Sequence, residues 1–369
     1  MAGLGAAKRL REAGRDFLII TEDIGGRVST SPDGSVNYGA YYITPDCKTI
    51  MPYMKKLKLM RFWDFHFHNG ARHYHFSFFG ILRHLPALLR LAADLLIFRR
   101  HFNAMRREAK NFLRQKLIEA DPLLRKYYHQ KAGDYIKAKR LEVVMKEFFE
   151  PVLWASFFAD PREVSTLVLL QCLLPMIIPT YGFILDFEKL TGDFKDKIIN
   201  DSVAAIEKRG DAWELKTKSG KVYQCEKLIL ATPMTATNRL IAPQKIKGVI
   251  EVSFLHLRGK PKQPYDGSGY NFFPLGEQTA FSREEDGSYL YFYGGDNKVD
   301  DYFERVDEII TAKRWEPALI LLGDEYVNLN PAPNLYLAND HDVASTEDAF
   351  INGIHTANLL MKNPLEKSG

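Results

Sequence analysis

The chain has 369 residues, 46% hydrophobic and 26% charged, with a formal net charge of +4. That length supports a sizeable core and exceeds the size at which one core usually divides, so two domains are expected. The small net charge excludes nucleic-acid binding by whole-protein electrostatics, and three scattered cysteines, Cys47, Cys172 and Cys225, exclude a disulfide framework and fit a reducing, cytoplasmic setting.

The first residues, MAGLGAAKRLREAG, lack the charged-then-apolar order of a secretory signal. Gly3 to Ala13 suits a helix, and Gly14 stands where helix ends often take a left-handed residue. Asp16 to Ile20 reads as a short buried strand, and residues 33–43 as another, reached through a turn at Asp33-Gly34. Helix then strand, with a glycine-rich start, suggests a nucleotide-binding α/β unit. Such units cradle a diphosphate at a glycine turn and hold a ribose with an acidic residue about 20 positions later. Gly3 fits the third glycine of that turn, which puts the first strand and the first two glycines ahead of Met1, so the first strand is expected to be missing. Glu22 ends the next strand, where a carboxylate can accept from ribose hydroxyls. In Gly25-Gly26-Arg27 the glycines allow close backbone approach to a ligand, and the arginine can neutralise a diphosphate.

From Leu57 to Pro179 long helical patterns mark a second unit, opened by a hairpin at 62–78. The Asn69-Gly70 turn predicts a two-residue loop that pairs His66 with His73 and gathers His66, His68, His73, His75 and Asp64 on one face. Such imidazoles could hold a transition metal, but a polar hairpin face is the plainer reading and no metal is expected. Residues 76–100 are very apolar yet broken by Arg83, His84, Pro86, Arg90 and Asp94, so they form no spanning helix. Residues 90–140 carry fourteen Lys/Arg against five Asp/Glu. Two readings stay open here: a buried helix beside a solvated basic one, or peripheral contact of 76–100 with an anionic membrane.

Lys197 to Pro233 reads as a β-meander followed by a buried strand, and 249–295 as further strands. Val306 to Ala312 reads as the start of a helix. The last segment is strand, loop and helix, with Ser345 or Thr346 as cap near Glu347; free N–H groups there favour developing negative charge.

Taken together, separate blocks resemble the flavin-containing amine oxidase family, with phytoene desaturases and protoporphyrinogen oxidases as relatives. Ala2-Gly3-Leu4 through Ala13-Gly14 is similar to the tail of the family's FAD fingerprint, Ile24-Gly25-Gly26-Arg27-Val28 to its second motif, and Asn37-Tyr38-Gly39-Ala40 to the strand that follows. Asp201-Ser202-Val203 through Leu230-Ala231-Thr232-Pro233 resembles the middle block, where a valine backbone meets adenine. Asn334 to Asp340 and Ala344 to Ala349, with Asn352-Gly353, resemble the last block. In relatives its Asp contacts the ribityl chain and its helix N-terminus faces the flavin pyrimidine.

The resemblance implies an α/β fold: a Rossmann-like FAD-binding domain (1–60, 190–245 and 310–369) lacking its first strand, with an inserted α+β substrate domain (61–189 and 246–309). It implies FAD as cofactor, held by Gly3, Glu22, Gly25, Gly26, Arg27, Gly39, Ala40, Val203, Ala231, Thr232, Pro233, Asn339, Asp340, Ser345, Thr346, Glu347 and Ala349. The loop between Glu22 and Gly25 is shorter than the family's, and Asn339 stands where A-G-D has glycine. The last block has no cysteine, so any flavin is expected to be noncovalent. The expected activity is hydride transfer from a C–N or C–C bond of a small apolar substrate to FAD. The alternatives are a membrane-associated desaturase or isomerase of a polyene or isoprenoid, and a noncatalytic flavin-fold chain. Trp63, Trp154, Phe157, Phe158, Tyr181, Tyr270, Phe272, Phe273, Tyr289, Tyr291 and Tyr293 either line a substrate cavity or fill the core. No side chain is assigned as catalytic base.

Overall fold

The computed structural model describes residues 1–75, 82–266 and 269–362. Helix α1 (Ala2–Glu12) opens the chain and runs out at Gly14, whose φ is +65°. Strand β1 (Ile19–Thr21) starts three residues later than the strand expected from Asp16, and it is half-buried rather than buried. Next come β2 (Met54–Leu59), β3 (Phe65–Asn69), β4 (Arg72–His75) and a helical stretch: α2 (Leu85–Glu108), α3 (Arg114–Ala120), α4 (Pro122–His129), α5 (Ala132–Ala138), α6 (Glu150–Phe157) and α7 (Thr166–Leu173). Strands β5 (Tyr181–Leu185), β6 (Ile198–Asn200), β7 (Val203–Arg209), β8 (Ala212–Thr217), β9 (Val222–Cys225) and β10 (Leu228–Leu230) follow. The rest is β11 (Gly248–Pro261), β12 (Tyr270–Phe272), β13 (Thr279–Arg283), β14 (Tyr289–Tyr293), β15 (Phe303–Leu322), β16 (Leu335–Leu337) and α8 (Thr346–Lys362).

Two parallel pairs, β1 with β6 and β10 with β16, join segments far apart in sequence, and β7, β8 and β9 form the expected antiparallel meander. Helix α1 crosses α8 at very short range. A Cβ on Gly5 would stand 2.2 Å from the Phe350 carbonyl oxygen, and one on Gly353 would stand 1.9 Å from that of Ala2. Buried Ala2, Ala6, Ala349 and Ala357 complete a seam of small side chains that brings the starts of both helices together.

The second unit is a seven-stranded sheet in the order β15-β11-β14-β13-β12-β3-β4, packed on α2 through α7. Helix α2 buries Leu91, Leu95, Phe98, Phe102 and Met105, a stripe at helical spacing. Its other face leaves Leu85, Leu89, Leu96 and Ile97 exposed. Among the described residues no helix is long and apolar enough to cross a membrane. Residues 76–81 of the apolar segment lie outside the described residues.

Three sequence expectations need correction. Residues 306–312 are not helical: they lie within β15, paired with β11 from Gly248↔Leu322 to Pro261↔Phe303. Val306, Ile309, Ile310 and Thr311 suit a strand, and cross-strand ion pairs Lys260–Glu304 (2.6 Å) and Arg314–Glu251 (2.5 Å) decorate this edge. Residues 310–322 therefore stay with the seven-stranded sheet, beyond the division expected at 310. Residues 33–43 form no strand, only bridges at Thr30↔Asn37 and Ile43↔Tyr181. The Asn37 side chain bonds Ala40 O (2.7 Å) and Gly39 N (3.1 Å), a local turn that competes with strand pairing. In the hairpin, Asn69 pairs with Arg72, so the loop is Gly70-Ala71 and His66 faces His75 rather than His73. Gly70 supplies the positive φ of +58° that the loop needs.

Candidate active site

A cavity of about 1010 Å³ lies between the parallel pairs, the helices and the seven-stranded sheet. That is at the top of the roughly 300–1,000 Å³ usual for small-molecule sites. One part of its wall collects Gly25, Gly26, Arg27, Gly39, Ala40, Ala231, Thr232, Pro233, Asn339, Asp340, Ser345, Thr346, Glu347 and Ala349. These are fourteen of the seventeen residues expected at a cofactor. The other three do not line it. Gly3 backs onto Ala231, where an added Cβ would lie 3.1 Å from its methyl carbon. Val203 packs against the Trp213 and Leu215 core. Glu22 is exposed and paired with Lys218 at 2.9 Å, while its neighbour Asp23 lines the cavity instead.

The glycine turn is shaped by close backbone packing. A Cβ on Gly39 would stand 1.8 Å from Arg27 O, so the 25–28 and 37–40 turns touch backbone to backbone. Gly26 has φ +62° and open space around a would-be Cβ, leaving its peptide accessible from the cavity. Arg27 donates to Ala318 O (2.5 Å) and to Asp340 Oδ2 (2.7 Å), which fixes its guanidinium beside that carboxylate. Asn339, the departure from the family's glycine, does not have a positive φ. Its side chain accepts from His341 N (3.1 Å), so the loop accommodates it.

Helix α8 starts as a capping arrangement. Ser345 Oγ accepts from Asp348 N (2.9 Å) and donates to Asp348 Oδ2 (2.5 Å). Glu347 points the other way and accepts from the Thr49 and Ile50 N–H groups, both at 2.9 Å; burial raises its pKa. Sequence reasoning missed the ionic cluster behind this turn. Asp348 is fully buried and receives Arg106 from α2 (2.5 Å) and Arg114 from α3 (3.5 Å). Arg106 also lines the cavity. The only sequence hint was the basic run 90–140, which says nothing about which cations turn inward.

The rest of the wall is mostly apolar, with Phe148, Phe149, Leu153, Leu173 and Ile177 among its residues, and carries Ser156, Gln171, Lys313 and Arg314 as polar members. Of the expected aromatics, Phe157, Phe158, Tyr270 and Phe272 line it. Trp154, Phe273, Tyr289 and Tyr291 serve the core, and Trp63 is 65% exposed. The histidine face forms as pairs: His68 Nδ1 meets His73 Nδ1 at 2.9 Å, and the His66 and His75 rings lie 4.3 Å apart. Among the described residues no group of three metal-ligating side chains converges.

The model of the flavin-containing amine oxidoreductase family matches residues 1–176. Among solved structures, putrescine oxidase bound to putrescine is similar with a TM-score of 0.67 and 15% identity, covering 98% of this chain and 97% of that one. Cyclohexylamine oxidase from Brevibacterium oxydans IH-35A gives 0.65 and 12%, covering 98% and 96%. A protoporphyrinogen oxidase-like protein from Exiguobacterium sp. 255-15 gives 0.66 and 12%, covering 98% and 97%. A search of curated protein sequences finds no match. These likenesses bear out the α/β fold with a Rossmann-like FAD-binding domain and a substrate domain, and the family match carries FAD dependence and oxidoreductase chemistry.

Proposed function

We propose that this chain, an FAD-dependent oxidoreductase of the flavin-containing amine oxidoreductase type, oxidises a C–N or C–C bond of an apolar substrate with noncovalently held flavin. The observation that carries this reading is the single cavity in which the glycine turn, the 231–233 and 339–340 segments and the α8 start share a wall with an aromatic and aliphatic lobe. The residues fit the cofactor. Gly26 leaves backbone open to a diphosphate, Arg27 sets a cation there, and the first N–H groups of α8 favour the negative charge of a reduced flavin. FAD, when bound, accepts the hydride equivalent from the substrate. The protein's own part is to orient the substrate and exclude water with the apolar lobe. The test is anaerobic mixing of the flavin-loaded protein with apolar amines and with polyenes: bleaching of the visible band by either class supports the reading, and no bleaching by any of them counts against it.

A second reading, peripheral membrane contact, is favoured by one observation. Leu59 and Phe62 are both exposed and part of the cavity wall, so the cavity reaches the surface beside Leu57, Trp63, Lys55, Lys56 and Arg61. An apolar patch flanked by cations suits an anionic bilayer. Co-sedimentation with vesicles containing anionic lipid, weakened by salt and lost in Trp63→Asp, is the expected result. Equal recovery with and without vesicles would rule this contact out.

A further inference from the structure

Of the three charged side chains in the buried cluster, Arg106 lines the cavity, whereas Asp348 and Arg114 do not. The Arg106 side chain is 7% exposed. Its Nε donates to both Asp348 oxygens (3.2 and 3.1 Å), and Nη2 donates to Asp348 Oδ2 (2.5 Å) and to Ser345 Oγ (3.4 Å). The guanidinium carbon lies 4.4 Å from the Phe102 ring centroid, which fixes the plane of the group. Among the described residues Nη1 meets no acceptor. It is not sealed inside the protein either, as Nε and Nη1 of Arg114 are, so the space left to its two N–H groups is the cavity.

The charge is uneven as well. Asp348 is shared between Arg106 and, at 3.5 Å, Arg114. Glu347, the other carboxyl near Arg106, is turned to the Thr49 and Ile50 N–H groups, and burial disfavours its charged form. The cluster therefore holds an excess of positive charge, and its uncommitted N–H groups face the cavity. A fixed cation with free donors suits an anionic or carbonyl oxygen. Such an oxygen could come from the flavin or from the substrate. The flavin is favoured because Ser345, which Arg106 touches, caps α8 and lines the same wall, and the N–H groups of that helix start favour negative charge too.

We propose that Arg106 is a redox-tuning residue, whose free Nη1 and charge stabilise the flavin once it has taken up a hydride, and that Asp348 and Arg114 set how much of that charge the flavin feels. This rests on the cavity holding FAD. A hydride brings two electrons and one proton, so oxidised FAD gains one negative charge. A cation already fixed in a wall shielded from water favours that reduced form over the oxidised one.

The test uses the whole chain loaded with FAD. Its reduction potential is measured against a reference dye, and its affinity for sulfite, which adds to oxidised flavin and leaves negative charge on it, is read from loss of the visible band. The wild-type potential should lie above that of free FAD. Arg106→Gln should weaken sulfite binding and disfavour reduction, each about tenfold, as loss of one charge-assisted bond would give; for a two-electron couple that is about 30 mV. Arg106→Lys should recover part of both. Asp348→Asn, which removes counter-charge without altering the cavity wall, should move both in the opposite direction, a change of sign that a merely structural role would not produce. A wild-type potential at or below that of free FAD overturns the proposal, whether or not the variants fold. It is also overturned if Arg106→Gln keeps the wild-type potential and sulfite affinity and loses only the binding of a carboxylate such as octanoate, which would assign Arg106 to the substrate. A wild-type chain that holds no FAD defeats the parent reading, whereas bound FAD without these shifts defeats this one alone.

Discussion

Arg106 and Asp348 lie 242 positions apart and meet where both are almost removed from water. Burial pushes the Asp348 carboxyl up, but Arg106 and Arg114 outweigh it and hold the group below 3.8. Its folded pKa is depressed, so its stabilisation is complete above the unfolded value and is lost as pH falls through the folded one. Acid unfolding should therefore steepen below about pH 4, and Asp348→Asn should flatten that limb. Arg106→Met strands a buried carboxylate with only the more distant Arg114, and a loss of about 3–5 kcal/mol is expected in denaturant titrations. Wild-type stability in that variant would mean that Arg114 alone suffices. At Gly39 an alanine would drive the 25–28 and 37–40 turns apart. Gly39→Ala should release FAD from a protein that keeps its far-ultraviolet circular dichroism, and full flavin retention would contradict the backbone contact described.

The β3–β4 hairpin shows how an element can be half legible. Its existence and its one-sided histidine face follow from alternation, but the register turns on which residues take the loop, and Gly70-Ala71 replaces Asn69-Gly70. His68 ends up facing the Tyr265 and Phe273 rings, with Asn271 Oδ1 accepting from Nε2 at 2.9 Å. Burial, with the charges of His73, His66 and His75, pulls its pKa down to about 4. Since the folded value is below the unfolded 6.5, folding opposes proton uptake, and stability should fall as pH drops from 6.5 towards 4. The ceiling is about 3 kcal/mol, and His68→Asn should remove most of this slope in pH-dependent thermal unfolding; an unchanged slope would place the titration elsewhere. The α1–α8 crossing is set by Gly5 and Gly353, and Gly353→Val should separate the helices and lower the melting temperature markedly. Strand β15 was misread because VDEIITAKRW has a helix-like mixture of charge and apolar residues; its strand state comes from pairing along β11, a partner 40 or more residues earlier that no local pattern displays.

At the scale of the whole molecule, the parts of the site carried by short motifs were legible because glycines and caps leave marks in a local sequence. Gly25-Gly26-Arg27, Ala231-Thr232-Pro233 and Ser345-Thr346-Glu347 come together as expected. What stayed hidden comes from folding distance. The Arg106–Asp348–Arg114 cluster and the replacement of Glu22 by Asp23 at the cavity depend on which segments meet, and residue spacing holds no record of that. The same limit applied to aromatics: Phe157 and Tyr291 look alike in sequence, yet one faces the cavity and the other the core.

The most direct test is whether this chain holds FAD without a covalent bond. The purified protein would be incubated with excess FAD, freed of unbound flavin by gel filtration, and its visible spectrum recorded before and after acid precipitation. The account predicts about one flavin per chain, bleached by dithionite and released entirely to the supernatant on precipitation. A colourless protein after gel filtration, at FAD concentrations well above micromolar, would contradict it.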